Sequence, residues 1–85
     1  MKYFVYILHA ISADKYYIGS SIDPERRIKF HNSIEKGFTS RYRPWQLVFQ
    51  KEFPGKTEAQ QFERKVKRWK SKLMIKRLVN GDIQL

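Results

Sequence analysis

Tyr3-Phe4-Val5-Tyr6-Ile7-Leu8 and Lys15-Tyr16-Tyr17-Ile18-Gly19-Ser20-Ser21 are two short runs rich in aromatic and β-branched residues, separated by His9-Ala10-Ile11-Ser12-Ala13-Asp14. Such residues suit a pleated, half-buried surface, and Ser and Asp in the connection favour a turn, so the pair predicts a β-hairpin with Tyr6 and Tyr17 on adjacent strands. Alternation along the first run places Phe4, Tyr6 and Leu8 on one face and Val5 and Ile7 on the other. A strand that is apolar on both faces must be covered on both, which makes it the central strand of a sheet.

Outward from the hairpin, Asp23-Pro24-Glu25 reads as a helix start: Asp23 caps free N–H groups, Pro24 suits the first helical position, and Glu25 complements the positive end of the dipole. The helix should run to about Glu35 and end at Lys36-Gly37, followed by a basic loop over residues 38–43. Trp45-Gln46-Leu47-Val48-Phe49-Gln50-Lys51-Glu52-Phe53, between Pro44 and the turn Pro54-Gly55-Lys56, reads as a third strand. From Thr57 another helix begins, with Ala59, Phe62, Val66, Trp69 and Leu73 near one side. Ser71 either caps a separate final helix or marks a bend, and Asn80-Gly81 closes the last segment as a left-handed cap. The expected fold is α+β in the order β-β-α-β-α-α: a three-stranded, mainly antiparallel sheet flanked by helices.

Eighty-five residues support one domain over 1–85, because a chain this short cannot divide its core in two. There is no cysteine, which excludes disulfide staples, thiolate zinc sites and thiolate catalysis. No apolar run is long enough for a signal h-region or a membrane span, so the chain reads as cytoplasmic. Eighteen Lys and Arg against eight acids leave a net charge of +10, the balance of a protein with a phosphate-rich partner. Nucleic acid is favoured over an anionic membrane, because the basic segments use their apolar residues for a core rather than for an exposed lipid-facing stripe. The run from Arg64 to Arg77 carries eight cations and no acid, and would repel itself without a polyanion. Lys15, Lys36, Arg41, Arg43, Arg64, Lys67, Arg68 and Lys70 are the candidate nucleic-acid contacts. Tyr42, Trp45 and Trp69 have rings able to stack on bases, although the apolar spacing around both tryptophans suits a core.

Phe4-Val5-Tyr6, ten intervening residues, Tyr17-Ile18-Gly19, Arg27 followed by His31-Asn32, and Glu63 within a later helix occur in an order and spacing that resembles the GIY-YIG endonuclease superfamily. Within it the chain is most similar to small stand-alone bacterial members related to the N-terminal nuclease domain of the excision-repair endonuclease subunit. The resemblance implies a metal-dependent phosphodiesterase with Tyr6, Tyr17, Arg27 and Glu63 lining one cleft. Two departures stand out: Phe4-Val5 replaces Gly-Ile, and Ser20 follows Gly19 where some members carry lysine.

Phosphodiester hydrolysis needs an activated water, neutralisation of charge on the non-bridging oxygens and help for the departing sugar oxygen. Glu63 can hold Mg2+ or Mn2+, since such ions keep several waters and need only one or two protein carboxylates beside substrate phosphate. Arg27 suits a phosphate oxygen. Tyr17 is the candidate general base, with Tyr6 bonding to it or to the water. His31, four residues after Arg27 and on the same helical face, can move a proton, bind phosphate or simply pack. Glu63 can equally pair with Lys67 one turn later. The expected activity is DNA cleavage, with RNA the lesser substrate, selected by shape because a domain of this size has no room for a separate sequence-reading module. Repair or recombination is the setting the family suggests, and a protein partner that supplies specificity is compatible with it. The competing reading is a non-catalytic nucleic-acid-binding module that keeps the fold.

Overall fold

The computed structural model describes residues 2–33, 42 and 44–83. Tyr3–Ala10 forms β1 and Lys15–Ser21 forms β2, paired antiparallel with Tyr6 opposite Gly19 and Leu8 opposite Tyr17. Pro24–Ser33 forms α1, Trp45–Phe53 forms β3, Lys56–Arg68 forms α2 and Lys72–Asn80 forms α3. The sheet order is β2-β1-β3, antiparallel throughout, so the expected α+β fold, its element order and the central position of β1 are all observed.

Local chemistry accounts for the ends of the elements. Asp23 Oδ1 accepts the Arg26 N–H at 3.2 Å, while the Asp23 carbonyl accepts from Arg27. Ser71 is the N-cap of α3, with its hydroxyl accepting the Met74 N–H at 3.4 Å, which makes α3 a separate helix and not a bent continuation of α2. Its other end closes on Gly81 at φ +82°, with Gly81 N–H bonded to the Leu78 carbonyl and Asp82 N–H to that of Arg77, a Schellman motif. In contrast, α2 starts at Lys56, one residue before the expected Thr57, and its N-cap Gly55 offers no side-chain acceptor. The region 34–41, with the expected end of α1 near Glu35, lies outside the described residues.

Because both faces of β1 are covered, the apolar residues of this small domain gather in two clusters, one on each face of the sheet, and not in the single undivided core that its length suggested. On one face Val5, Ile7 and Ile18 meet Ala59, Phe62 and Val66 of α2 and Leu78 of α3, with Phe49 and Phe53 partly buried against them. On the other, Tyr6, Leu8, Ala10 and Trp45 gather with Tyr17, Ile28 of α1, Tyr42 and Leu47. β3 serves both cores through a register shift: Ile7 faces Phe49 but Leu8 faces Leu47, leaving Val48 as an extra residue. Strict alternation would put Trp45, Leu47, Phe49 and Phe53 on one face; the bulge sends the first two to the Tyr6 side and the last two to the Ile7 side.

Two polar attachments hold the periphery to this frame. Asn32, near the end of α1, donates from Nδ2 to the Trp45 carbonyl at 3.0 Å, and its Oδ1 accepts the Trp45 N–H at 2.6 Å. The side-chain amide thus pairs with the first residue of β3 as a neighbouring peptide would. Asp14, in the left-handed region at φ +48°, sits in the hairpin turn with its carboxylate 2.9 Å from His9 Nε2 and within 3.4 and 3.5 Å of Lys72 and Lys76 of α3. The His9 hydrogen bond, followed by the two lysines, holds the Asp14 carboxyl down to about 2 from an ordinary 3.8.

Asn32→Ala strands a donor and an acceptor of Trp45 and should lower stability by about 2–4 kcal/mol in urea unfolding. The depressed Asp14 value means its stabilisation is complete above about pH 4 and is lost as pH falls towards 2. Asp14→Asn, which tolerates the same backbone angle, should therefore give a shallower fall in melting temperature over that acid range than the parent shows.

Candidate active site

On the Tyr6 face of the sheet the candidate tyrosines and His31 gather. β1 supplies Tyr6 and β2 supplies Tyr17, with ring centroids 6.4 Å apart. α1 lays its last turns over them, bringing His31 to 4.6 Å from the Tyr17 centroid and its Nε2 to 3.3 Å from the Tyr6 hydroxyl. His31 and Tyr6 are both buried, at 0% and 1% exposure, so the hydroxyl needs this partner inside the fold. Tyr17 is only half-buried and rests edge-on against Trp45 at 6.4 Å. The cluster is layered: the Tyr6–His31 pair lies inside, and Tyr17 is the phenol with access to solvent.

Gly19 explains why the second tyrosine run ends as it does. A Cβ at this position would lie 2.7 Å from the Tyr6 hydroxyl oxygen, 2.8 Å from Tyr6 Cζ and 3.1 Å from Tyr17 Cε2. The Tyr6 ring therefore crosses the backbone of the neighbouring strand, in space that only glycine leaves open. Ser20 and Ser21 follow, and the Ser21 hydroxyl accepts the Asp23 N–H at 3.0 Å, turning the chain into α1.

Arg27 stands one helical turn before His31, with its guanidinium carbon 4.9 Å from the Phe30 centroid. Phe30 in turn lies 6.4 Å from His31, edge to face, so Arg27 borders the tyrosine cluster through an aromatic intermediary. Glu63 is carried by a different element, α2, which packs on the opposite, Val5 and Ile7 face of the sheet; in sequence it falls between the buried Phe62 and Val66. Its side chain is 18% exposed and its Oε2 lies 2.7 Å from Lys67 Nζ. Tyr6, Tyr17 and His31 are thus brought into mutual contact, Arg27 lies beside them, and the described partner of Glu63 is Lys67.

Among the described residues no three His, Cys, Asp or Glu side chains gather as a metal cage. A lone, largely enclosed carboxylate is nonetheless the donor set that suits Mg2+ or Mn2+ with water and substrate phosphate completing the shell, and it is a poor set for zinc. Glu63 is compatible with such an ion on condition that it exchanges the Lys67 ammonium for it.

The basic residues distribute over several surfaces. Arg64, Lys67, Arg68 and Lys70 are exposed along α2 and its end, and Gln61, Arg64, Lys65 and Arg68 line a shallow groove on the outer face of that helix. Lys15 is exposed at the start of β2, 5.9 Å from the Tyr42 centroid. Lys36, Arg41 and Arg43 lie outside the described residues. Trp45, at 2% exposure, belongs to the core and presents no face for a base, while Tyr42 and Trp69 pack against the two cores. Gly19 and Asn32 carry more of the site than their place in the motif words indicated; their function lies in close approach and backbone pairing, which residue type alone does not reveal.

Gly19→Ala forces the Tyr6 ring out of its seat and should destabilise the domain by about 1–3 kcal/mol. The displaced ring should be visible as changed tyrosine and histidine resonances in NMR spectra.

Comparison with known proteins places the chain in a family. Residues 2–77 match the model of the GIY-YIG catalytic domain. The chain is 47% identical over 53 residues to the structure-specific endonuclease subunit slx1 of Talaromyces stipitatus, covering 55% of this chain and 14% of that protein. It is 38% identical over 69 residues to the structure-specific endonuclease subunit SLX1 of Debaryomyces hansenii, covering 72% of this chain and 20% of that one. The chain therefore spans a fifth or less of these curated relatives. The solution NMR structure of the UPF0213 protein BH0048 from Bacillus halodurans superposes with a TM-score of 0.60 at 34% identity, over 94% of this chain and 84% of that one. The matched region takes in both tyrosine strands, α1 with Arg27 and His31, and α2 with Glu63, and the chain belongs to the GIY-YIG catalytic-domain family.

Proposed function

We propose that this nuclease-family domain is a divalent-metal-dependent endonuclease that hydrolyses DNA phosphodiester bonds, selecting its substrate by structure, in repair or recombination. The observation that carries the proposal is the layered cluster: a half-buried Tyr17 backed by a buried, hydrogen-bonded Tyr6–His31 pair, with Arg27 at its edge. A phenol held this way is positioned before substrate arrives, so little reorganisation is needed at the moment of reaction.

Ionised as the phenolate, Tyr17 takes a proton from the attacking water and becomes the phenol, and Tyr6, fixed by His31, holds the geometry behind it. Arg27 binds a non-bridging phosphate oxygen with its planar donors. Glu63 would hold Mg2+ or Mn2+, which supplies charge neutralisation at the phosphate and the departing sugar oxygen. The surplus of cations supports a polyanionic substrate and its attraction over distance. No helix of the described residues is long and apolar enough to cross a membrane. A cytoplasmic setting and a partner that adds specificity belong to the same proposal; the SLX1 relatives are named as subunits.

End-labelled flap, branched, single-stranded and duplex DNA with Mg2+ or Mn2+ provide the test. Tyr17→Phe and Glu63→Ala, each verified as folded, should lower cleavage by about 100-fold or more while DNA binding persists. Binding without metal-dependent cutting by the parent on any of these substrates would establish the non-catalytic module instead.

A further inference from the structure

A groove of about 700 Å³ lies where β2 runs into α1, lined by Ser21, Ile22, Asp23, Arg26, Arg27, Lys29 and Phe30. Two features set it apart from an ordinary solvated helix face. Ile22 and Phe30 are two of the large apolar side chains left in solvent among the described residues, 54% and 37% exposed, and both line it. Around them stand Arg26, Arg27 and Lys29, against Asp23 as the one carboxylate of the lining. Asp23 is already engaged in capping α1.

We propose that this groove binds an unstacked nucleotide of a single-stranded or branched DNA, with Ile22 and Phe30 against the base and Arg26 and Lys29 on the flanking phosphates. The assignment rests on the nuclease reading for its choice of ligand and refines it to a substrate class. Apolar and aromatic surfaces accept the face of a base, and every base offers one only when it is out of the stack. In intact duplex both faces are covered by neighbouring pairs, so the apolar part of the groove has nothing to contact and only the cations act. The same groove adjoins the tyrosine cluster: Phe30 touches Arg27 on one side and lies 6.4 Å from His31 on the other. A nucleotide seated there would bring its neighbouring phosphate towards Arg27. Charge complementarity selects nucleic acid over an apolar peptide.

The test measures binding in EDTA, where no cutting occurs, by fluorescence anisotropy of a short labelled DNA single strand and of the same sequence as blunt duplex. Ile22→Ser and Phe30→Ala should each weaken single-strand binding about tenfold while leaving duplex binding unchanged, and Phe30→Trp should retain it. Ile22 is mostly exposed, so its substitution leaves the core intact and keeps the test decisive if Phe30→Ala perturbs folding. Equal losses on both ligands, or none, overturn the proposal. Strand-selective losses in a protein that cuts nothing would leave the groove standing and the nuclease reading refuted; flap cleavage with unchanged strand binding in the variants would do the reverse.

Discussion

A hydroxyl buried at the centre of the sheet has to be given a partner, and much of the domain is arranged around meeting that requirement for Tyr6. The ring lies across Gly19 of β2, its oxygen meets His31 of α1, and the neighbouring Asn32 ties α1 to the start of β3. All three strands and the first helix converge on one phenol. Among the described residues no buried side-chain polar atom lacks a partner, so the cost of enclosing this pair is offset within the fold.

Two tyrosines that look alike in sequence end in different surroundings. Tyr6 is enclosed; Tyr17, on the edge strand, is only half-buried. Electrostatics follow a similar division. Asp14 and Glu63 are both satisfied by lysines, at the hairpin turn and along α2, while the outer face of α2 and the first turns of α1 present cations outward. Cations of the described residues thus line grooves on both α1 and α2.

Most of the fold was legible because its elements announce themselves locally. The double-sided apolar pattern of Tyr3 to Leu8 implied a central strand, Asp23-Pro24 a helix start, and Asn80-Gly81 a helix stop, and each is a short-range effect of side chain on backbone. Ser71 left two outcomes open because a single hydroxyl serves a cap or a bend equally well; the bond to Met74 decides for the cap. The bulge at Val48 was not legible, since it depends on which residues of β1 lie opposite, a fact that alternation within β3 does not contain.

For the candidate site, the sequence by itself supplied the candidates: the paired tyrosines, Arg27, His31 and Glu63 in a family order, on a strongly basic chain. Only the tertiary structure decided which tyrosine is enclosed, that Gly19 exists to admit the Tyr6 ring, that His31 faces inward, and that Ile22 and Phe30 remain outside beside the cations. The physical reason is range. Propensity, capping and charge act between residues close in the chain, whereas burial and close approach arise between residues 13 to 25 positions apart, and these exist only once the sheet and its helices have closed on one another.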